Sequence, residues 1–326
     1  MGGDRNGSGS LSNLVAGVTP GGGAGAMSGG CAHERIRERR LRPTHPDVLS
    51  AGGIQRIMET VLGTSILRLI HTLGGCGGTL LSRCIAVLPG VALLSEVNPA
   101  AVKLFPKFDP LYQDAHWLHL LTPEDVDYFS GLDLRDIEHF RALIQVFHDR
   151  ACASGRHLVI RDYNYIDFIG APFNPAPPRS LSLYAALPQS ISTVCVALIR
   201  HPVDQWLSLR KHQLLGPGVT PAEFCDSYAA FLREFPAEAV FKYEDFVANP
   251  DSQMRLICEE LSLPFTPSFL HDFCRYDSVT GDLTSLRQQS ISAPQRKTVP
   301  PDIWEEFGSS GSFHFVLRKA GYAAAV

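Results

Sequence analysis

The sequence predicts a three-layer α/β/α fold built on a central, mainly parallel sheet. Three observations carry this expectation. Short apolar runs rich in Val, Ile and Leu alternate along the chain with helical runs, the order that produces strand–helix–strand crossovers. The run over residues 192–199 is apolar almost throughout, as in parallel strands covered on both faces. A glycine-rich loop lies between the first apolar strand and the first helix.

The elements follow in order. Residues 1–57 are expected to form a disordered or weakly ordered tail, and residues 58–326 the α/β domain. Residues 1–30 are mostly Gly, Ser and Ala, and such a segment buries too little surface to offset its ordering entropy. The run Glu34-Arg35-Ile36-Arg37-Glu38-Arg39-Arg40 has no clear periodicity. It is expected to be a solvated, partly helical linker rather than a basic docking tail. Residues 65–71 read as the first buried strand. Residues 80–88 read as a helix stopped by Pro89-Gly90. Val91-Ala92-Leu93-Leu94 is a second strand. Over 133–151, Leu134, Ile137, Phe140, Leu143, Ile144 and Phe147 share one helical face. His157-Leu158-Val159-Ile160-Arg161 is the third strand and 192–199 the fourth. Pro202 suits a helix start, and that helix is expected to run to Leu214. Val240-Phe241-Lys242-Tyr243 is the fifth strand, and 251–262 a further helix.

Composition excludes several classes. The chain has 326 residues, 45% of them hydrophobic, enough for a sizeable core. A net charge of −4 argues against a nucleic-acid partner. The sequence has no run of about 18 apolar residues, so no membrane span is expected. It has no charged stretch followed by an apolar core at its start, so no secretory signal is expected either. The eight cysteines are scattered without a C-x-x-C pair, and several sit in apolar runs, as in Val194-Cys195-Val196. That pattern suits reduced, buried thiols rather than disulfides or a metal site. A bacterial, cytoplasmic protein is the expectation, with no metal cofactor.

Two motifs carry the chemistry. The loop Leu73-Gly74-Gly75-Cys76-Gly77-Gly78-Thr79, continuing into Leu80, has the outline of an anion cradle. Glycines let backbone N–H groups turn toward one anion, and the following helix presents its positive end. The other reading is a glycine-rich turn that only packs helix on strand. No Lys precedes Thr79, unlike the common nucleoside-triphosphate loop, which counts against ATPase or kinase chemistry. The second motif is Ile199-Arg200-His201-Pro202, with Ser208 eight residues after Arg200. An Arg at a strand end forks onto phosphate, and Ser208 lies about two helical turns on.

Together these motifs resemble the sulfotransferase superfamily, most closely its bacterial and protein-tyrosine branches, over roughly residues 64–323. The resemblance implies a P-loop-like fold and 3′-phosphoadenosine 5′-phosphosulfate as co-substrate. It places the 5′-phosphosulfate on Gly74, Gly75, Cys76, Gly77, Gly78, Thr79 and Leu80, and the 3′-phosphate on Arg200 and Ser208. By the same resemblance Tyr243 of Tyr243-Glu244 binds nucleotide, and Arg296 and Lys297 belong to a basic stretch that closes over it. Gly321-Tyr322 resembles the family's usual ending. Glu96 stands where the tyrosine branch has its catalytic Glu, twenty-one residues beyond Gly75, and Arg161-Asp162 where a basic residue and Asp end a strand. One position departs: Gly75 stands where the family carries Lys or Arg. Arg161 is expected to compensate.

The implied reaction moves a sulfuryl group to an acceptor hydroxyl on a saccharide, lipid, phenol or peptide. Glu96 would act as general base, and the loop amides, Thr79 and Arg161 would stabilise charge on the leaving phosphate. His116 is a weaker candidate base. Tyr163, Tyr165 and Asp167 are candidates to line the acceptor pocket. The alternatives are an ATP-dependent phosphotransferase, disfavoured by the missing Lys, and a catalytically degenerate nucleotide-binding module, for which Gly75 is the best support.

Overall fold

The computed structural model describes residues 65–216, 218–281, 289–292 and 298–323. The expectations for the tail over 1–57, and for Arg296 and Lys297, lie outside the described residues.

Five parallel strands form one sheet in the order β2-β3-β1-β4-β5. They are β1 (Leu67–Thr72), β2 (Val91–Ser95), β3 (His157–Arg161), β4 (Thr193–Ile199) and β5 (Val240–Lys242). Among the described residues, the helices of eight or more residues are α1 (Gly78–Ala86), α2 (Pro123–Ser130), α3 (Ile137–Ala153), α4 (Pro202–Lys211), α5 (Pro221–Arg233), α6 (Pro250–Glu260), α7 (Pro301–Ser309) and α8 (Gly311–Ala320).

Side chains alternate across a strand, so each strand feeds two cores. Ile70, Leu93, Val159, Val196 and Leu198 face one side, where Leu81 and Ile85 of α1 and Met254 and Ile257 of α6 cover them. Leu67, Leu69, Ala92, Leu94, Leu158 and Ile160 face the other side, against Phe140, Leu143, Ile144 and Phe147 of α3. Ala197 and Ile199 continue that side against α4 and α5. These are the three layers that the apolar runs predict.

Several boundaries differ from the sequence reading: the helix expected over 80–88 is Gly78–Ala86, and that expected over 133–151 is Ile137–Ala153, which leaves Leu134 before its start. α4 ends at Lys211 rather than Leu214. Tyr243 does not end β5. It opens a short helix, Tyr243–Ala248, whose first turn carries Glu244 and Asp245, as the helix dipole favours. Among the described residues, no helix is long and apolar enough to cross a membrane.

Candidate functional site

All five strands point the same way, so the residues that follow them gather at one edge of the sheet. The glycine loop follows β1, Glu96 follows β2, Asp162 follows β3, Arg200 follows β4 and Tyr243 follows β5.

The loop ends at Gly77, which is left-handed (φ 93°) and gives α1 no side-chain cap. The first-turn amides of α1 have no partners within the helix. Gly77 is required here: a Cβ would lie 2.3 Å from the Tyr243 ring. The opposite wall is α4. Gln205 Nε2 donates to the Gly74 carbonyl at 2.6 Å. A Cβ on Gly75 (φ 68°) would stand 3.1 Å from Leu209 Cγ. Leu209 therefore crowds the position where a side chain at Gly75 would begin. Cys76 is fully buried, and burial pushes its thiol up to about 11, so its side chain belongs to the core. Leu80 is likewise a core side chain.

Arg200 joins the two walls. Its Nη1 donates to the Gly75 carbonyl at 3.3 Å, and its guanidinium lies 5.1 Å from the Tyr243 ring centroid. Its backbone is gripped by Tyr228 of α5, whose hydroxyl donates to the Arg200 carbonyl at 2.7 Å. Glu244 accepts from the His201 amide at 2.8 Å and from the Tyr322 hydroxyl at 2.9 Å. The Tyr-Glu pair, the Arg200 motif and the Gly321-Tyr322 ending thus meet. Ser208 lies partly buried on α4, three residues from Gln205 and so on the same face.

At the other end, β2 and β3 pair with Ser95 opposite Arg161, which sets Glu96 beside Arg161. Glu96 is itself left-handed (φ 57°). Its Oε1 is 3.1 Å from Arg161 Nη2, and its Oε2 is buried with no hydrogen-bond partner. Arg161 is 1% exposed, and its Nη1 reaches Thr79 Oγ1 at 3.4 Å. Glu96, Arg161 and Thr79 therefore form a chain from a carboxylate to the first turn of α1.

No protein-family model and no curated protein matches the sequence. Among solved structures, the sulfotransferase domain from the Synechococcus PCC 7002 olefin synthase is similar, with a TM-score of 0.54 at 16% identity over 79% of this chain and 95% of that one. The chain has the sulfotransferase fold. The sulfotransferase domain from the curacin biosynthetic pathway has a TM-score of 0.45 at 16% identity, over 80% and 99%.

On this sulfotransferase fold, several sequence candidates fall elsewhere. The His116 ring is exposed, stacks on Tyr112 at 3.8 Å and donates to the Tyr112 carbonyl at 2.7 Å. The Tyr165 hydroxyl is turned to the carbonyls of Ala171 and Leu214. Asp167 sits in a buried network: Asn98 Nδ2 donates to Asp162 at 2.9 Å and to Asp167 at 3.1 Å, and the Ser182 hydroxyl donates to Asp167 at 2.6 Å. Burial and the nearby Asp162 push the Asp167 carboxyl well above the usual carboxylate range. The polar groups of Tyr165 and Asp167 are thus taken up by hydrogen bonds within the fold. Tyr163 alone stays partly exposed beside Glu96, with Phe108 4.8 Å away. Among the described residues, no group of three or more His, Cys, Asp or Glu could hold a metal.

Gln113 has no motif to announce it. β2 is an edge strand, so the outward N–H and C=O of Ser95 need a partner. Gln113 supplies both: the Ser95 amide donates to Oε1 at 2.7 Å, and Nε2 donates to the Ser95 carbonyl at 2.7 Å. This clamp fixes the peptide just before left-handed Glu96. Gln113→Leu is expected to lower stability by about 2–4 kcal/mol, because it strands two buried backbone groups. Urea unfolding checks this, and a loss below about 0.5 kcal/mol would show that the clamp does not hold Ser95.

Proposed function

We propose that this protein transfers a sulfuryl group from 3′-phosphoadenosine 5′-phosphosulfate to an acceptor hydroxyl. The observation that carries the reading is the chain Glu96–Arg161–Thr79 ending on the uncapped first turn of α1. A base with one bound and one free oxygen, a buried cation and a helix N-terminus suit an attack that develops negative charge on a leaving phosphate.

The loop amides and Thr79 would hold the 5′-phosphosulfate, and Arg200 the 3′-phosphate, with Tyr243 beside it. Ser208 would add a donor from α4. Glu96 Oε2 would accept the hydroxyl proton as the acceptor oxygen bonds to sulfur. The bond from sulfur to the bridging oxygen breaks, and its electron pair stays on the departing 5′-phosphate. Arg161 would stabilise that charge. It would supply the cation that Gly75 lacks; a side chain at Gly75 would be strained by the left-handed backbone and crowded by Leu209. Glu244 positions Arg200 through His201.

Calorimetric titration of 3′-phosphoadenosine 5′-phosphate tests the reading. Mg²⁺-independent binding that ATP does not match is expected. Arg200→Ala should weaken it roughly 10–100-fold, the worth of one or two charge-assisted hydrogen bonds. A preference for ATP with Mg²⁺, or no effect of Arg200→Ala, would overturn the assignment.

A further inference from the structure

Thr280 is buried within this site, and it touches the groups assigned above to the reaction. Its carbonyl accepts from Arg161 Nη2 at 3.0 Å and from Thr79 Oγ1 at 3.5 Å. Its hydroxyl oxygen lies 3.1 Å from the same Nη2 and 2.8 Å from Ser95 Oγ. Its amide donates to Ser95 Oγ at 3.2 Å. Gly281 then crosses the first turn of α1 at φ 110°, where a Cβ would stand 2.2 Å from Thr79 Oγ1. The segment is anchored upstream. Val279 is buried in the core, Arg83 Nε donates to the Tyr276 carbonyl at 2.7 Å, and Arg83 Nη2 donates to the Cys274 carbonyl at 3.0 Å.

The chemistry of these contacts is that of a bound anion. A carbonyl and a hydroxyl present oxygen lone pairs to a guanidinium and to the threonine hydroxyl on the first turn of α1. A phosphate or sulfate oxygen needs the same donors, and the negative end of the Thr280 carbonyl dipole would repel it. Arg161 Nη2 has two N–H bonds and already faces Glu96 Oε1 and both Thr280 oxygens, and the Thr79 hydroxyl has one proton, so these two groups cannot serve Thr280 and an anion together.

We propose that residues 279–281 are an internal pseudo-ligand that competes with the nucleotide for Arg161 and Thr79. Binding of the phosphosulfate end displaces Thr280, so the chain sets its own threshold for loading. This rests on the nucleotide reading given above. It adds that the free energy of binding is reduced by the contacts Thr280 makes.

Hydrogen exchange and calorimetry on the full chain test it with 3′-phosphoadenosine 5′-phosphate as the probe. Saturation should speed exchange at the Thr280 amide. A segment that the nucleotide tightens instead would exchange more slowly, and that would overturn the proposal. Gly281→Ala, which cannot keep both the backbone angle and the contact with Thr79, should bind the probe at least about tenfold more tightly, ~1.4 kcal/mol. Thr280→Ala, which removes the hydroxyl but keeps the carbonyl, should move the same way by less. Wild-type binding with unchanged or weaker affinity in both variants would overturn the competition alone. No binding to any of the three proteins would overturn the nucleotide reading, and the competition with it.

Discussion

Gly77→Ala is expected to destabilise the protein by about 2–5 kcal/mol and to weaken nucleotide binding with it. Two effects add. The backbone at φ 93° is one that side chains rarely adopt, which carries about 1–3 kcal/mol of strain. The new methyl also lands 2.3 Å from Cδ2 and 2.5 Å from Cε2 of Tyr243. That ring cannot yield freely, because Arg200 lies over it at 5.1 Å. Pushing the ring shifts Arg200, and Arg200 Nη1 holds the Gly75 carbonyl. A change at one end of the loop should therefore be felt at the other. The two effects separate in a second background. In Tyr243→Ala the clash is gone, and Gly77→Ala should then show the backbone strain alone. Urea unfolding of the four proteins gives the comparison. A loss below about 0.5 kcal/mol in the wild-type background would mean that the loop relaxes and the glycine is not required.

Arg161→Ala is the second large effect, and it should appear in both stability and chemistry. The guanidinium is buried, and its ionic partner is Glu96 at 3.1 Å. Removing one member of a buried pair strands the other, at about 3–5 kcal/mol. Here the stranded groups are the Glu96 carboxylate and the Thr280 carbonyl. Adding Glu96→Gln removes the unpaired charge, so the double variant should be more stable than the sum of the single losses predicts. A coupling of more than about 0.5 kcal/mol is the expected sign. On the proposed reaction, losing this cation should slow transfer roughly 10²–10³-fold, the range for one donor to a developing oxyanion. Additive stabilities, together with an unchanged rate, would show that Arg161 is neither the partner of Glu96 nor the substitute for a loop cation.

How far the site could be read from the chain depends on how local each feature is. The glycine loop was legible because a left-handed turn before a helix demands glycine, and that demand is written at the residue itself. Arg200 and Ser208 were legible because one strand end and two turns of one helix set their spacing. Glu96 and Arg161 were named separately from a resemblance, while their pairing depends on β2 lying beside β3. Tyr165 and Asp167 misled because a Tyr or an Asp near a strand end looks alike whether it faces a pocket or a buried network. Gln113, Tyr228 and Thr280 carried no signal. Gln113 and Tyr228 act through hydrogen bonds to a backbone distant in sequence, and Thr280 through bonds to distant side chains, and no spacing rule marks such residues.

The alternation of strands and helices, the layers of the fold and the place of the glycine loop were determined by the sequence alone. They follow from periodicities of two and 3.6 residues and from the steric needs of single positions, which act between near neighbours. The strand order, the left-handed turn at Glu96 and the seating of Thr280 on Arg161 were decided only by the tertiary structure. They arise where segments far apart in the chain bury surface together and must satisfy each other's polar groups, and that requirement has no period along the chain.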